Sequence, residues 1–222
     1  MSGTVESLNV GAPRQVEFNG RSLVTAIWKS PVAGRVPLRG VNLSGDDQAD
    51  RSAHGGPDKA VYAYAAEETE TWEEELGVPL GPGAFGENLT VRGLPVSGAV
   101  IGERWEVGTT LLEVAQPRLP CFKLGVRMGN ALFPKRFAAA GRPGAYLRVV
   151  REGDIGAGDP IRVVSRPEHG VTSALVSRSL LREPELLETA LKAPELPGEL
   201  REWMRSRADA KDARLPATKR KL

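Results

Sequence analysis

Cysteine is almost absent: Cys121 is the only one in 222 residues. An intramolecular disulfide is therefore impossible, which excludes a disulfide-stapled secreted fold. Histidine is nearly as scarce. With only His54 and His169 available, a multi-histidine zinc site is also excluded. No apolar run approaches the length needed to span a bilayer, so no membrane partner is expected. Met1–Glu6 shows no basic stretch leading into an apolar one, the mark of a signal peptide, and the cytoplasm is the expected compartment. Neither sign of charge dominates, with 30 basic and 28 acidic residues and a net charge of +2. Residues 201–222 hold eight of the basic and three of the acidic residues, which leaves 22 and 25 in residues 1–200. By charge, the body is thus no nucleic-acid-binding surface; only the basic tail could be one.

What is abundant is glycine, 25 residues, and proline, 17. That share favours many turns and short strands over a helical bundle. The 41% hydrophobic and 26% charged content is ordinary for a soluble globular protein and excludes wholesale disorder. The length predicts one domain, or one with a small appendage.

The clearest local signal is a hairpin. Gln15–Phe18 and Ser22–Trp28 flank Asn19-Gly20, a pair suited to the positive φ angles of a type I′ turn. A loop-rich stretch follows over 30–58, then a short strand at Ala60–Ala65. An acidic helix is predicted at Glu67–Leu76, with Trp72 and Leu76 on one face and Gly77 as its cap. Further strands are predicted at Asn88–Val91, Arg104–Val107, Leu111–Ala115, Tyr146–Arg151 and Ile161–Val164. The last two read as a pair joined through glycines. Turn signals at this spacing predict a barrel or sandwich. After Pro167 the pattern turns helical, at Thr172–Arg182, Pro184–Lys192 and Pro197–Ala208, with Pro184 and Pro197 at helix starts. The organisation is thus a β domain over 1–166, a small three-helix domain over 167–210 and a basic tail over 211–222.

Four segments carry candidate chemistry. Gly81-Pro82-Gly83-Ala84-Phe85-Gly86 fits G-x-G-x-x-G literally, but a helix precedes it and a strand follows. That is the reverse of a dinucleotide site, so it reads as a turn. Asp46, Asp47, Asp50, His54 and Asp58 form either a hard-cation cluster or a solvated, turn-capping loop; calcium-loop spacing fails at Pro57. His54-Gly55-Gly56-Pro57-Asp58-Lys59 is either an anion-binding turn, whose glycines allow close approach of a ligand, or a plain turn with exposed charges. Cys121 follows a strand and two prolines, with Arg118 and Lys123 beside it. It is either a small buried hydrophobe or a functional thiol. Neighbouring cations favour the thiolate, the form that attacks electrophiles and ligates soft metals. His169, at the proposed junction, reads as structural.

Together these segments resemble the MOSC domain (molybdenum cofactor sulfurase C-terminal domain), and within it the stand-alone YiiM-type proteins. The resemblance rests on Ser44–Asp50, His54–Tyr62, Phe85–Leu89, Ile101-Gly102-Glu103, Gln116–Leu124, Gly158-Asp159 and the helical end, over about residues 8–210. Glu103 departs conservatively from the family's usual Asp. The resemblance implies a mainly β fold, a closed barrel with a few helices plus a small C-terminal helical domain. It implies a molybdenum cofactor with Cys121 as the metal ligand, and an oxidoreductase that removes oxygen from N-hydroxylated compounds such as hydroxylaminopurine base analogues. An external flavin or iron–sulfur reductase would supply electrons. A looser family association is with pyridoxal phosphate.

Under this reading, Cys121, Asp58 and Glu87 are the expected catalytic residues, the two carboxyls as proton relays. His54, Gly55, Gly56, Lys59, Asn88, Gln116, Arg118 and Lys123 are expected to hold the cofactor, the cations offsetting the pterin phosphate. Two rivals stand beside it. One is a sulfur carrier that uses a Cys121 persulfide without metal. The other is nucleic-acid or partner binding through the helical end and Lys219-Arg220-Lys221.

Overall fold

The computed structural model describes residues 2–49 and 55–209. The strands are β1 Ser2–Val10, β2 Arg14–Phe18, β3 Arg21–Thr25, β4 Ser30–Pro31, β5 Arg35–Arg39, β6 Asn42–Leu43, β7 Val61–Ala65, β8 Leu89–Arg92, β9 Arg104–Val107, β10 Thr110–Gln116, β11 Ala145–Arg151, β12 Gly153–Gly156 and β13 Pro160–Ser165. The helices are α1 Ala66–Leu76, α2 Phe122–Arg127, α3 Phe133–Ala140, α4 Ser173–Leu181, α5 Leu187–Ala190 and α6 Gly198–Asp209.

Seven strands close a mixed barrel in the order β13-β9-β10-β11-β7-β8-β1, and β1 returns to β13. Among these strands only β7 and β8 run parallel. A parallel pair needs a crossover, and α1 supplies it. The mainly β, barrel-plus-helices expectation holds.

Strand β7 explains much of the packing. Its sequence, Val-Tyr-Ala-Tyr-Ala, is buried throughout. Side chains alternate across a strand. Val61, Ala63 and Ala65 face the barrel core, while Tyr62 and Tyr64 enter a second, aromatic cluster with Trp72, Phe85, Phe133 and Phe137. Tyr64 accepts a hydrogen bond from the Trp72 indole at 2.9 Å and stacks obliquely on Phe85, 4.7 Å between ring centres. Helix α1 reaches that cluster with Trp72 and Leu76 and ends at Gly77, which is left-handed as expected (φ 68°).

The hairpin forms with positive φ at both Asn19 (50°) and Gly20 (71°), the type I′ signature. Its second strand stops at Thr25 rather than Trp28, because Ile27 turns into the aromatic cluster. The expected pairing of 146–151 with 161–164 does not occur. Strand β11 lies between β10 and β7, and β13 bridges β9 and β1 to close the ring. The glycine-rich connection forms β12, which pairs with β5. Gly153 permits this, since a Cβ there would sit 2.5 Å from Thr109 Oγ1.

The helical end follows the sequence closely. Thr172 caps α4 by accepting from the Leu175 amide at 3.1 Å. Pro184 opens a 3-10 turn that leads into α5. Val176, Leu180, Leu187, Ala190 and Met204 join the same apolar cluster as the barrel interior. His169 is structural as expected, with Nε2 3.2 Å from Glu195 and Nδ1 accepting from the Val171 amide. Residues 211–222 lie outside the described residues.

Glu68 on α1 accepts from Ser97 Oγ at 2.8 Å in a largely desolvated setting. Burial pushes its pKa up to about 7, against the opposing pull of Ser97 and Arg142. The folded state thus holds this proton where the unfolded chain has lost it. Stability associated with Glu68 is complete below about pH 4.5 and falls as pH rises to about 7. Glu68→Gln should flatten that slope and raise stability at pH 8 by about 2–3 kcal/mol, leaving pH 4 unchanged. Urea denaturation across pH checks this, and an unchanged slope would refute it.

Candidate functional site

The prolines after β10 carry the chain to Cys121, the extended residue before α2 (φ −130°, ψ 172°). The Cys121 thiol is half-buried and lines a cavity of about 80 Å³ at one end of the barrel. Four cationic side chains share its walls: Lys29, Lys59, Arg118 and Lys123. Asp46, Asp47, Asn88, Tyr62 and Tyr146 are also on the lining, with Thr25 and Gln48.

Several of these are held by traceable contacts. Arg118 is 6% exposed, donates to the Phe85 carbonyl and lies 5.0 Å over the Tyr62 ring. Burial opposes its charge, but Tyr62, Tyr146 and Cys121 outweigh that and raise its pKa. Burial likewise pushes the Tyr62 and Tyr146 phenols up, so both stay protonated at neutral pH. Lys29 forms an ion pair with Asp46. Burial lowers the Lys29 pKa and Asp46 works against it. Asp46 also accepts from the Gly11 amide at 2.8 Å and from Asn88 Nδ2 at 2.9 Å. Asn88 in turn accepts from the Tyr62 amide at 3.1 Å, which ties the cavity wall to β7.

Of the residues expected from the sequence, Cys121, Lys59, Asn88, Arg118 and Lys123 meet at this cavity. Gly55, Gly56, Asp58 and Gln116 instead line a larger neighbouring cleft, and Lys59 borders both. Asp58 is ion-paired to Arg148 Nε at 2.8 Å. Glu87 is brought to neither. It is fully buried and accepts from the Gly83 and Phe85 amides at 2.6 and 3.0 Å and from Thr90 Oγ1 at 3.0 Å. Its oxygens anchor the Gly83–Phe85 turn away from the cavity lining, and burial raises its pKa. His54 lies outside the described residues.

Sequence reading missed Lys29, Tyr62 and Tyr146 as cavity residues. The two tyrosines were visible only as strand residues, and their facing side depends on the tertiary pairing of β7 with β11. No cluster of three or more His, Cys, Asp or Glu side chains that could hold a metal ion exists among the described residues. Of the hard-cation alternative, Asp46 is a buried ion-pair partner instead.

The glycine-rich segment is the expected turn. Gly83 and Gly86 have φ of 79° and 77°, and a Cβ at Gly83 would meet the Lys29 carbonyl at 2.5 Å. Gly83→Ala should therefore destabilise by at least about 2 kcal/mol through strain and displacement of Lys29. A chemical denaturation midpoint unchanged from the parent would contradict this.

A MOSC domain profile matches residues 50–162, half of the chain. This protein belongs to the MOSC domain family. Among curated relatives, "Uncharacterized protein YflK" of Bacillus subtilis is 38% identical over 214 residues, 96% of each chain. "Protein YiiM" of Escherichia coli is 35% identical over 146 residues, 64% of this chain and 65% of that one. A Gibberella moniliformis protein named "Reductase" matches at 36% over 154 residues, 67% of this chain but only 27% of its own length. The crystal structure of YiiM from Geobacillus stearothermophilus superposes with a TM-score of 0.76 at 32% identity, covering 93% of this MOSC chain and 99% of the other. The YiiM-type resemblance therefore holds for sequence and fold alike. No helix among the described residues is long and apolar enough to cross a membrane.

Proposed function

We propose that this MOSC protein is a molybdenum-cofactor reductase of N-hydroxylated compounds, hydroxylaminopurine-type base analogues among them. The observation that carries it is one soft sulfur donor, Cys121, set among four cations in a single cavity. By donor chemistry that set fits the group, while a volume of about 80 Å³ takes only its metal end. A thiolate suits a soft metal centre, and cations suit the pterin phosphate. Cys121 would ligate the metal; Lys59, Arg118 and Lys123 would compensate the negative charge, Lys29 being paired with Asp46. Bound there, the cofactor supplies two electrons that, with two protons, convert R–NHOH to R–NH2 and water. Electrons come from an external flavin or iron–sulfur reductase.

The chain's own contribution is orientation and electrostatics. Arg118, locked between the Phe85 carbonyl and Tyr62, offers a fixed positive charge beside Cys121. Tyr146, protonated through burial, lines the cavity as a hydrogen-bond donor toward the substrate oxygen. No partner on a membrane is invoked, and the cytoplasm is the proposed compartment.

Elemental analysis of protein from a molybdenum-replete host tests the reading, together with reduction of 6-hydroxylaminopurine by a supplied electron donor. Near-stoichiometric molybdenum and turnover support it. Stoichiometric sulfane sulfur without molybdenum would instead identify a carrier that works through a Cys121 persulfide.

A further inference from the structure

The end of helix α1, the turn that follows it and the end of helix α2 enclose a cavity of about 250 Å³ beside the aromatic cluster. Leu76, Val78, Leu80 and Met128 supply apolar walls, and Phe133 joins them from that cluster. Val78 stands at the rim, 50% exposed. The polar part of the lining is Arg127 and Asn130, with no carboxylate among the described residues.

Arg127 is the unusual member. It is half-buried, and its Nε is buried without a hydrogen-bond partner. Among the described residues no oxygen accepts from any part of its guanidinium. It lies over the Trp28 ring, 5.9 Å from the ring centre. A ring face attracts a cation but takes none of its in-plane N–H groups. Arg14, 4.2 Å over the same ring, adds a like charge. Burial lowers the Arg127 pKa, Glu87 opposes that and Arg14 reinforces it. Glu73 is taken by the Leu80 amide at 2.6 Å. Asn130 Oδ1 accepts from the Leu132 amide at 2.9 Å, which leaves its Nδ2 as a second donor.

A half-buried guanidinium without an acceptor is unfavourable until an anion completes it. The walls call for an apolar body, and the two donors call for an acid group. The volume lies just below the roughly 300–1,000 Å³ of drug-sized sites, so that body is small. An amino acid is a poor match, because its ammonium would stand against Arg127. An amide N–H beside the acid fares little better, with only donor side chains to meet it.

We propose that this cavity binds a small apolar monocarboxylate, with its carboxylate on Arg127 and Asn130 and its hydrocarbon body against Leu76, Val78, Leu80 and Met128. The site shares no lining residue with the Cys121 cavity, and the inference needs no part of the function proposed above. Arg127 is the last residue of α2, the helix that begins beside Cys121. An acid bound here therefore braces the far end of that helix.

Isothermal calorimetry on the intact chain tests this with isocaproate, isocaproamide, acetate, leucine and N-acetyl-leucine. Isocaproate should bind and exceed the uncharged amide by at least about tenfold, the worth of one charge-assisted hydrogen bond. It should exceed acetate by at least about tenfold as well, through burial of its hydrocarbon body. Leucine and N-acetyl-leucine, which carry the same side chain, should both bind more weakly. Arg127→Met should bring isocaproate down to the level of the amide and leave the amide unchanged. Val78→Asp sets a negative charge at the exposed rim and should weaken isocaproate but not the amide. It carries the test alone if Arg127→Met fails to fold. Absence of isocaproate binding at millimolar concentration, acetate binding equally well, or binding indifferent to both variants overturns the proposal. Tighter binding of N-acetyl-leucine overturns it too, by assigning the cavity to the end of a polypeptide.

Discussion

Under the proposed function, Cys121→Ser should leave the protein folded but without molybdenum and without turnover. Oxygen replaces sulfur at nearly constant volume, and the side chain is only half-buried, so the stability change should stay below about 1 kcal/mol. The chemistry changes far more. A serine hydroxyl remains un-ionised at neutral pH and is a hard donor, whereas the soft metal centre selects thiolate. Changing a residue that merely supports a metal ligand costs about 10–100-fold. Loss of the ligand itself should exceed about 100-fold in both retained molybdenum and 6-hydroxylaminopurine reduction. Metal analysis, steady-state rates and a melting curve on the same preparation check all three expectations. Retention of metal in the folded variant would remove Cys121 from the site.

The second large effect is on stability. Asp46 accepts from the Lys29 ammonium, the Gly11 amide and Asn88 Nδ2, in a side chain only 1% exposed. Asp46→Ala strands a buried ammonium and two donors together. Breaking one partner of a buried pair costs about 3–5 kcal/mol, and that is the expected loss at pH 7. The deficit should also depend on pH. Burial already lowers the Lys29 pKa while Asp46 raises it. Without Asp46 the folded-state pKa drops further below the unfolded value, so the unfolded chain binds more protons and stability rises with pH. Urea denaturation at pH 7 and pH 9 should show the gap to the parent protein narrowing at the higher value. A constant gap would mean that Lys29 finds another partner.

Much of this architecture was legible in sequence because local chemistry and tertiary need agree. Asn19-Gly20 dictates its turn, Gly77 its helix end and Thr172 its cap whatever surrounds them. The misplaced elements are those decided at long range. Nothing local says that β13 must bridge β9 and β1, so 146–151 and 161–164 read as partners when each belongs elsewhere in the ring. Helices α2 and α3 escaped notice because both are short and one contains Gly125.

The candidate site divides along the same line. Cys121, Arg118 and Lys123 lie within six residues and were found together. Lys29 enters from the segment after the hairpin, and Tyr146 from β11, so only the fold unites them with the thiol. Glu87 is the converse case, a motif residue that lines neither cavity nor cleft. Its place in a shared motif suggested chemistry, whereas its oxygens are consumed by the Gly83–Phe85 turn and Thr90.

Strand β7 is a party wall between two rooms. A slip of one residue would thrust Tyr62 and Tyr64 into the barrel, where alanines now fit, and would withdraw the ring on which Arg118 rests. The seat of the arginine beside the sulfur is thus set by the register of one strand rather than by any loop, so a change that spares that register leaves the pair where it is.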